Sequence, residues 1–528
     1  MVFSTVIQVN HVSVYHDELW NYPASVAMLK GERLLPLQEI RIFKLPIPIV
    51  SGPYQGAVKS WISAPFIGLF GTSPAVLRGI NLLLAFIYLS SLCWALSATV
   101  PRLAARSIFL LPLLDTNFLM YVPIDQGPFL LQSLFIAVAI GAFLRAVKYR
   151  ERRWMVLVLL MMSATLSDKI TSIPCVAVFG ILFFLWLWPL PVRGISPIKT
   201  ILLVLFSISP LLPNIIYFIR NGFDPLFQMT GIGSIQTAPY LERLLYNCDY
   251  FFFQFFNSPL LMSAFTEISI PSSAHSWFSI AGLVLMGLAP VVTALAGQWQ
   301  ASGWRMQLFL PVLFVLSLCA FSAVPGLNRP WHFLLLQPIF VMAVFEKSAC
   351  FVTALSSKLN TRLKRGLLSS AVTAVMALLL LQGCIDSWRM LKITAEKEGI
   401  NANSMALYDV MEFLRQRGAK KAVCLSYSLS NPLYVLMNGE LQTVDCAFHA
   451  FSDLSSDMFI KYLEEPGTCL VSRHSMLGEI SPPDYIEWLN IGSSWLRTQD
   501  LLKDPRLKTY KTNDARGTEF GVLYLESP

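Results

Sequence analysis

Two adjacent carboxylates and a histidine stand among aromatics near the start of the chain, in Tyr15-His16-Asp17-Glu18-Leu19-Trp20. A carboxylate at a membrane surface can act as general base for an acceptor hydroxyl or amine. Burial against Trp20 and Tyr22 would raise its pKa towards that task. Asp17 and Glu18 are therefore the first catalytic candidates. The plainer reading is an acidic loop that is hydrated or pairs with Arg78 or Lys169. Asp125-Gln126-Gly127-Pro128 opens an apolar run. Asp suits a helix N-cap; the chemical reading makes Asp125 a second acid facing the same cavity, or, with Asp17, a ligand to a divalent metal ion. Asp115 lies inside an apolar stretch, where a carboxylate is a functional candidate by default or the partner of a cation on a neighbouring helix.

The basic candidates fit a phosphate. Asp168-Lys169 joins two apolar runs, and sequence neighbours do not face each other on a helix, so each needs its own partner. Lys169 can bind phosphate or snorkel to the interface. Asn328-Arg329-Pro330-Trp331-His332 joins two further runs. Arg329 and His332 could stabilise a phosphate leaving group, Arg329 through a bidentate fork; the alternative is an aromatic anchor with an incidental cation. Lys59, Arg78 and Tyr54 are further phosphate-site candidates, each with an ordinary interfacial reading. No P-loop, GxGxxG, H-E-x-x-H or G-x-S-x-G motif sits in a credible setting, which argues against nucleotide-driven transport and familiar hydrolase chemistry.

The elements that must position these residues are apolar. The chain has 528 residues, 55% hydrophobic and 14% charged, against about a quarter charged for soluble domains. Its mean hydropathy is +0.57. The apolar runs fill residues 75–388, and each approaches the roughly 20 residues that cross a bilayer as helix. Residues 390–528 read as ordinary soluble protein. The spacing predicts ten helices, at about 75–98, 104–122, 126–147, 153–168, 171–190, 198–219, 276–297, 304–325, 331–350 and 366–388. One alternating set of loops carries fifteen Lys and Arg, from Arg102 to Arg365, and the other only five: Arg78, Lys169, Arg220, Arg243 and Arg329. The richer set is cytoplasmic. The loop 15–74, the connection 220–275 and the domain after Trp388 then lie outside, with every chemical candidate. Basic residues between spans leave a net charge of +8 that does not call for nucleic acid. Residues 1–14 are too short to span and carry no signal-peptide pattern. With ten spans Met1 also lies outside, so they read as the last third of a further helix, or a short substitute for one.

Within 1–74, residues 15–54 read as a proline-punctuated loop with a short helix at 24–29, and 57–70 as a helix lying in the interface. In 390–528, Ala406–Arg417 is amphipathic, and Ala422–Ser426, Thr468–Ser472 and Val522–Leu525 are strand-like. The fold class is a polytopic α-helical membrane bundle with a small extracytoplasmic α/β or α+β domain. Nine cysteines show no metal spacing; one pair among Cys424, Cys446 and Cys469 could be a disulfide outside the cell.

The order of these features is more specific than any one of them. Asp17-Glu18 comes first, then Tyr54-Gln55-Gly56, Lys59, Ala64-Pro65-Phe66, Leu69-Phe70-Gly71 and Arg78. Asp125-Gln126-Gly127-Pro128, Asp168-Lys169 and Arg329-Pro330-Trp331-His332 follow. Over roughly residues 12–350 this resembles the bacterial membrane glycosyltransferases of the C-type fold, in the branch of lipopolysaccharide-core glycosyltransferases, protein O-mannosyltransferases and aminoarabinose transferases. The resemblance implies a polyprenyl-phosphate-linked sugar donor, inverting transfer, a glycan, lipid or protein acceptor, and an outer-face site in a bacterial inner membrane. It places the catalytic carboxylate at Asp17 and a phosphate-binding position near Lys59. The chain departs from the pattern in lacking a full first helix and in having a single His332 where related proteins often show a His pair. A transporter or lipid flippase is the alternative class. It would show inverted repeats and broken or charged midplane helices, and the polar candidates instead cluster at helix ends.

Overall fold

The computed structural model of the chain describes residues 1–14, 18–33, 38–43, 45–52, 55–115, 118–119, 122–125, 129–187, 197–222, 239–255, 274–295, 304–324, 330–359, 362–397, 404–425, 429–445, 456–474, 505–513 and 519–525. Asp17, Tyr54 and Arg329 lie outside them, as do Cys446 and most of 220–275; of His332 only the backbone is described.

The chain opens with α1 (Val2–His11) and α2 (Tyr22–Lys30), a three-stranded antiparallel sheet of β1 (Gln38–Ile42), β2 (Leu45–Gly52) and β3 (Gln55–Gly56), and α3 (Val58–Phe70). The sheet departs from the expected loop. Gln38–Ile47 alternates polar and aliphatic residues with the period of two that strands need, but Pro46 and Pro48 mask it. Pro is tolerated in a strand where no ladder donor is required. The thirteen residues of α3 are too few to cross a bilayer.

The bundle is α4 (Pro74–Leu96), the short α5 (Arg102–Arg106) and α6 (Leu111–Leu114), then α7 (Phe129–Tyr149), α8 (Arg152–Asp168), α9 (Ile173–Leu187), α10 (Pro197–Ile208), α11 (Leu212–Asn221), α12 (Tyr240–Asp249), α13 (Ala274–Leu295), α14 (Trp304–Ala323), α15 (Gln337–Lys358) and α16 (Arg362–Lys397). Helix α4 starts where Ser73 accepts from the Val76 amide and Pro74 takes the first turn, both standard start signals. Four helices among the described residues are long and apolar enough to cross a membrane, and five shorter apolar helices accompany them. Helix α7 packs against both α4 and α8. The protein is an integral membrane protein.

The expected single helix over 104–122 is not formed. Two short helices joined by a 3-10 turn replace it, and the segment ends at Asp115 in extended backbone. Pro112 starts a new helix rather than continuing one. Asp115 accepts from the Phe118 amide and from the Gln337 side-chain amide. The broken segment still returns along α4: it contacts that helix at α5 and reaches Asn81 near the other end through Pro123.

The last domain is α17 (Ala406–Gln416), β4 (Lys421–Cys424), α18 (Ser430–Leu436), β5 (Gln442–Asp445), α19 (Ser456–Glu464), β6 (Thr468–His474), β7 (Leu507–Asn513) and β8 (Glu519–Leu525). Its sheet runs β5-β4-β6-β8-β7. The first three strands are parallel, and the last two add antiparallel, giving an α/β domain. β5 and β7 were not legible as strands: Gln442–Asp445 has one large apolar residue, and β7 is an edge with half its residues in water. Cys424 and Cys469 are both buried. Cys469 pairs in register with Ala422 rather than Cys424, so these two do not bridge. The domain rests on α2, where the Tyr434 hydroxyl donates to Glu32 Oε2 at 3.3 Å.

Candidate functional site

Two buried ion pairs lie at one end of the bundle, on either side of Tyr22. The first is Glu18 with Arg78. Both side chains are fully buried, with Nε to Oε1 at 2.9 Å and Nη2 to Oε2 at 3.1 Å. The other guanidinium donors reach the carbonyls of Gln8 at 2.6 Å, Val12 at 2.9 Å and Ser13 at 3.0 Å. An arginine has five N–H donors, and all five are used inside the protein. Arg78 therefore closes the C-terminal end of α1, where helix carbonyls lack partners, and ties it to Glu18. This corrects its reading as a phosphate ligand: no donor is left for an anion. Glu18 is correspondingly a structural acid, held face to face with its counter-ion.

The second pair is Lys59 with Asp125, at 2.8 Å and with both side chains buried. Asp125 also accepts from the Leu130 amide at 3.0 Å, so it serves as helix cap and ion-pair partner together. Its backbone has φ +40°, a left-handed conformation that Asp tolerates better than most residues. Burial lowers the Lys59 ammonium, but Asp125, Tyr22 and Glu18 together outweigh that and hold it above its usual value.

Residues that sequence reading passed over hold the pair in place. Asn81 donates from Nδ2 to Pro123 O at 2.8 Å, fixing the approach to Asp125. The Tyr22 hydroxyl, 3.1 Å from both Asn81 Oδ1 and Leu77 O, fixes Asn81. The Tyr22 ring centroid is 5.3 Å from the Lys59 ammonium. Burial pushes the Tyr22 phenol up to about 12, so it remains a donor. Tyr-Pro and Arg-Gly-Ile-Asn carry no motif; only the helical spacing of Leu77 and Asn81 hints that one side chain could meet both.

Asp168 and Lys169 end α8 beside this pair. Gly56 permits their approach: a Cβ there would stand 2.3 Å from Ser167 O. Gln55 and Lys169 form a single antiparallel bridge. Gln132 on α7 donates to Lys169 O at 2.9 Å, and the Lys169 ammonium lies 3.7 Å from the Phe129 ring centroid. Asp168 is fully buried, and neither carboxyl oxygen has a hydrogen-bond partner among the described residues. The charges acting on it are Asp125, Lys59 and Lys169. Buried polar atoms are nearly always satisfied, so an orphaned carboxylate asks for an explanation.

Pro330–Leu335, which contains His332, packs against α7, where Ser133 donates to Leu334 O at 3.0 Å. The structure thus gathers Lys59, Asp125, Asp168 and Lys169 and sets the backbone of 330–335 against the same helix. The described donors suit an anion better than a metal ion. Among the described residues no three His, Cys, Asp or Glu come together, and Asp125 is already neutralised by Lys59. No step is therefore assigned to a metal.

No protein-family model matches the chain, and no curated protein matches it in sequence. Solved structures do match in fold. ArnT from Cupriavidus metallidurans in the apo state is 12% identical with a TM-score of 0.56, over 99% of this chain and 96% of that one. The same protein bound to undecaprenyl phosphate is 14% identical with a TM-score of 0.54, over 100% and 96%. The archaeal oligosaccharyltransferase AglB from Archaeoglobus fulgidus, with an inhibitory peptide and a dolichol-phosphate, is more distant: 11% identity and a TM-score of 0.45, over 98% and 73%. At these identities the likeness is one of fold. The chain has the C-type fold of membrane glycosyltransferases from end to end.

Proposed function

We propose that the protein is a membrane glycosyltransferase that moves a sugar from a polyprenyl-phosphate donor to a glycan, lipid or protein acceptor. ArnT, which shares the fold, has been solved with undecaprenyl phosphate. The observation that carries the reading is the buried Lys59–Asp125 pair beside Asp168 and Lys169. Two ammonium groups and two carboxylates meet where the apolar bundle ends. A polyprenyl phosphate leaves readily once cations neutralise the charge growing on it. Lys59 and Lys169 supply those cations, with Arg329 and His332 as further contributors. Asp125 orients Lys59 in the free protein and yields it to the donor phosphate. Asp168, whose carboxyl oxygens have no hydrogen-bond partner among the described residues, receives sugar or acceptor hydroxyls.

Asp17 is the general base: it takes the proton of the acceptor hydroxyl or amine, whose oxygen or nitrogen attacks the anomeric carbon with inversion as the polyprenyl phosphate leaves. Its neighbours are anchored on both sides, because Arg78 holds Ser13 O and Glu18 together. The site faces the outer side of a bacterial inner membrane, following the Lys and Arg asymmetry of the loops. The test is transfer from a labelled polyprenyl-phosphate sugar in proteoliposomes, comparing wild type with Lys59→Met and Asp17→Asn. The expected result is loss of transfer in both, with Lys59→Met also weakening capture of the donor phosphate. Full transfer by Lys59→Met would end the phosphate reading. Lipid crossing the bilayer with its sugar bond intact would favour a flippase instead.

A further inference from the structure

The β1–β2 hairpin has one bare apolar face. Its register pairs Ile40 with Ile47 and Ile42 with Leu45. Residues directly opposite in an antiparallel ribbon, and residues two apart on one strand, share a face. Ile40, Ile42, Leu45 and Ile47 therefore form a single aliphatic face. Ile40 is 42% exposed, Ile42 47% and Leu45 44%. At the apex Phe43 is 100% exposed with φ +49°, a backbone region where a bulky residue is an outlier and Asn or Gly is usual in a hairpin turn. Such a conformation persists at functional sites. The opposite face carries Glu39 and Arg41, which pair with each other at 3.1 Å, Arg41 largely in solvent. Lys44 completes the apex in sequence.

The ribbon is rooted on the apolar part of the chain. β2 contacts α11, the last turns of an apolar helix, and α2. The Trp61 indole on α3 donates to Pro48 O at 2.8 Å. We infer that this hairpin inserts into the bilayer surface, with Phe43, Ile42 and Leu45 among the acyl chains and Arg41 at the phosphates. Two features select lipid over a protein partner. The ribbon's second strand packs against α11, an apolar helix on which Ile215 and Ile219 are exposed. Arg41, beside the apex, suits anionic headgroups. The inference does not depend on the reaction the protein catalyses.

The test is a nitroxide label at Phe43→Cys, Ile42→Cys and Arg41→Cys in the full chain, in nanodiscs containing anionic phospholipid. Glu440→Cys, exposed in the last domain, is the aqueous reference, and the unmodified protein's signal is subtracted. All the labelled tip positions are exposed on the protein's surface, so the fold is not at stake. Labels at 42 and 43 should collide several-fold less with a water-soluble nickel chelate than the label at 440, and more with oxygen. The label at 41 should fall between. Nickel access at 42 and 43 equal to that at 440 would overturn the insertion. Shielding from both nickel and oxygen would also overturn it, in favour of a protein contact such as a second copy.

Discussion

Arg78→Met separates a clamp from a phosphate ligand. The substitution removes the counter-ion of a fully buried carboxylate and the donors to three carbonyls. Breaking a buried pair from one side costs about 3–5 kcal/mol, because the remaining charge is left uncompensated. The three carbonyl hydrogen bonds are lost with the same side chain, so their cost overlaps with that of the pair rather than adding to it in full. A net loss of about 4 kcal/mol is expected, with a fall in unfolding midpoint on the order of 5–10 °C. The double variant Glu18→Leu/Arg78→Met removes the stranded carboxylate and should recover a large share, as apolar replacement of buried pairs often does. The assay is thermal unfolding in detergent for both variants, with donor KM measured well below each midpoint. The clamp requires lost stability, partial recovery in the double variant and a donor KM close to wild type. Unchanged stability with a donor KM raised tenfold or more, about 1.4 kcal/mol of binding, would refute it and return Arg78 to the phosphate site.

Gly56→Ala should lower both stability and turnover, because its Cβ would meet backbone at 2.3 Å; overpacking of this kind costs about 1–3 kcal/mol, readable as a lower unfolding midpoint. Asp168→Asn should leave the midpoint nearly unchanged, since Asn fills the same space and the carboxyl it replaces has no hydrogen-bond partner among the described residues, while transfer falls; a destabilised variant would mean that the carboxyl serves the fold instead. Burial holds the Tyr408 phenol up to about 12, above its ordinary value of 10.0. A raised phenol pKa contributes stability that is complete below pH 10 and lost as pH rises towards 12. Tyr408→Phe should therefore flatten the alkaline limb of stability against pH and leave neutral pH unchanged.

Much of the fold was legible because lipid imposes a coarse constraint. Apolar runs near the length of a bilayer can satisfy their backbone only as helices, and the described helices follow those runs closely. The exceptions have local causes. Pro112 and Asp115 break the 104–122 segment into pieces, and Pro46 and Pro48 conceal a hairpin whose alternation is otherwise plain. The last domain's central strands were legible as apolar runs, whereas β5 and β7 were not, because edge strands need only half an apolar face.

The sequence by itself determined a membrane bundle, a soluble α/β or α+β domain and a short list of ionisable residues that could serve one site. Their types were readable, because charged groups among apolar runs must have a reason to be there. Which of them remained available was decided only by tertiary structure. Arg78 and Lys59 look alike in sequence, each a cation near an interface. One spends every donor on carbonyls and Glu18, while the other keeps a single carboxylate partner beside the orphaned Asp168. That difference depends on where α1, the 123–125 turn and the end of α8 meet. Partnering is a property of three-dimensional neighbours, and residue type and spacing do not encode it.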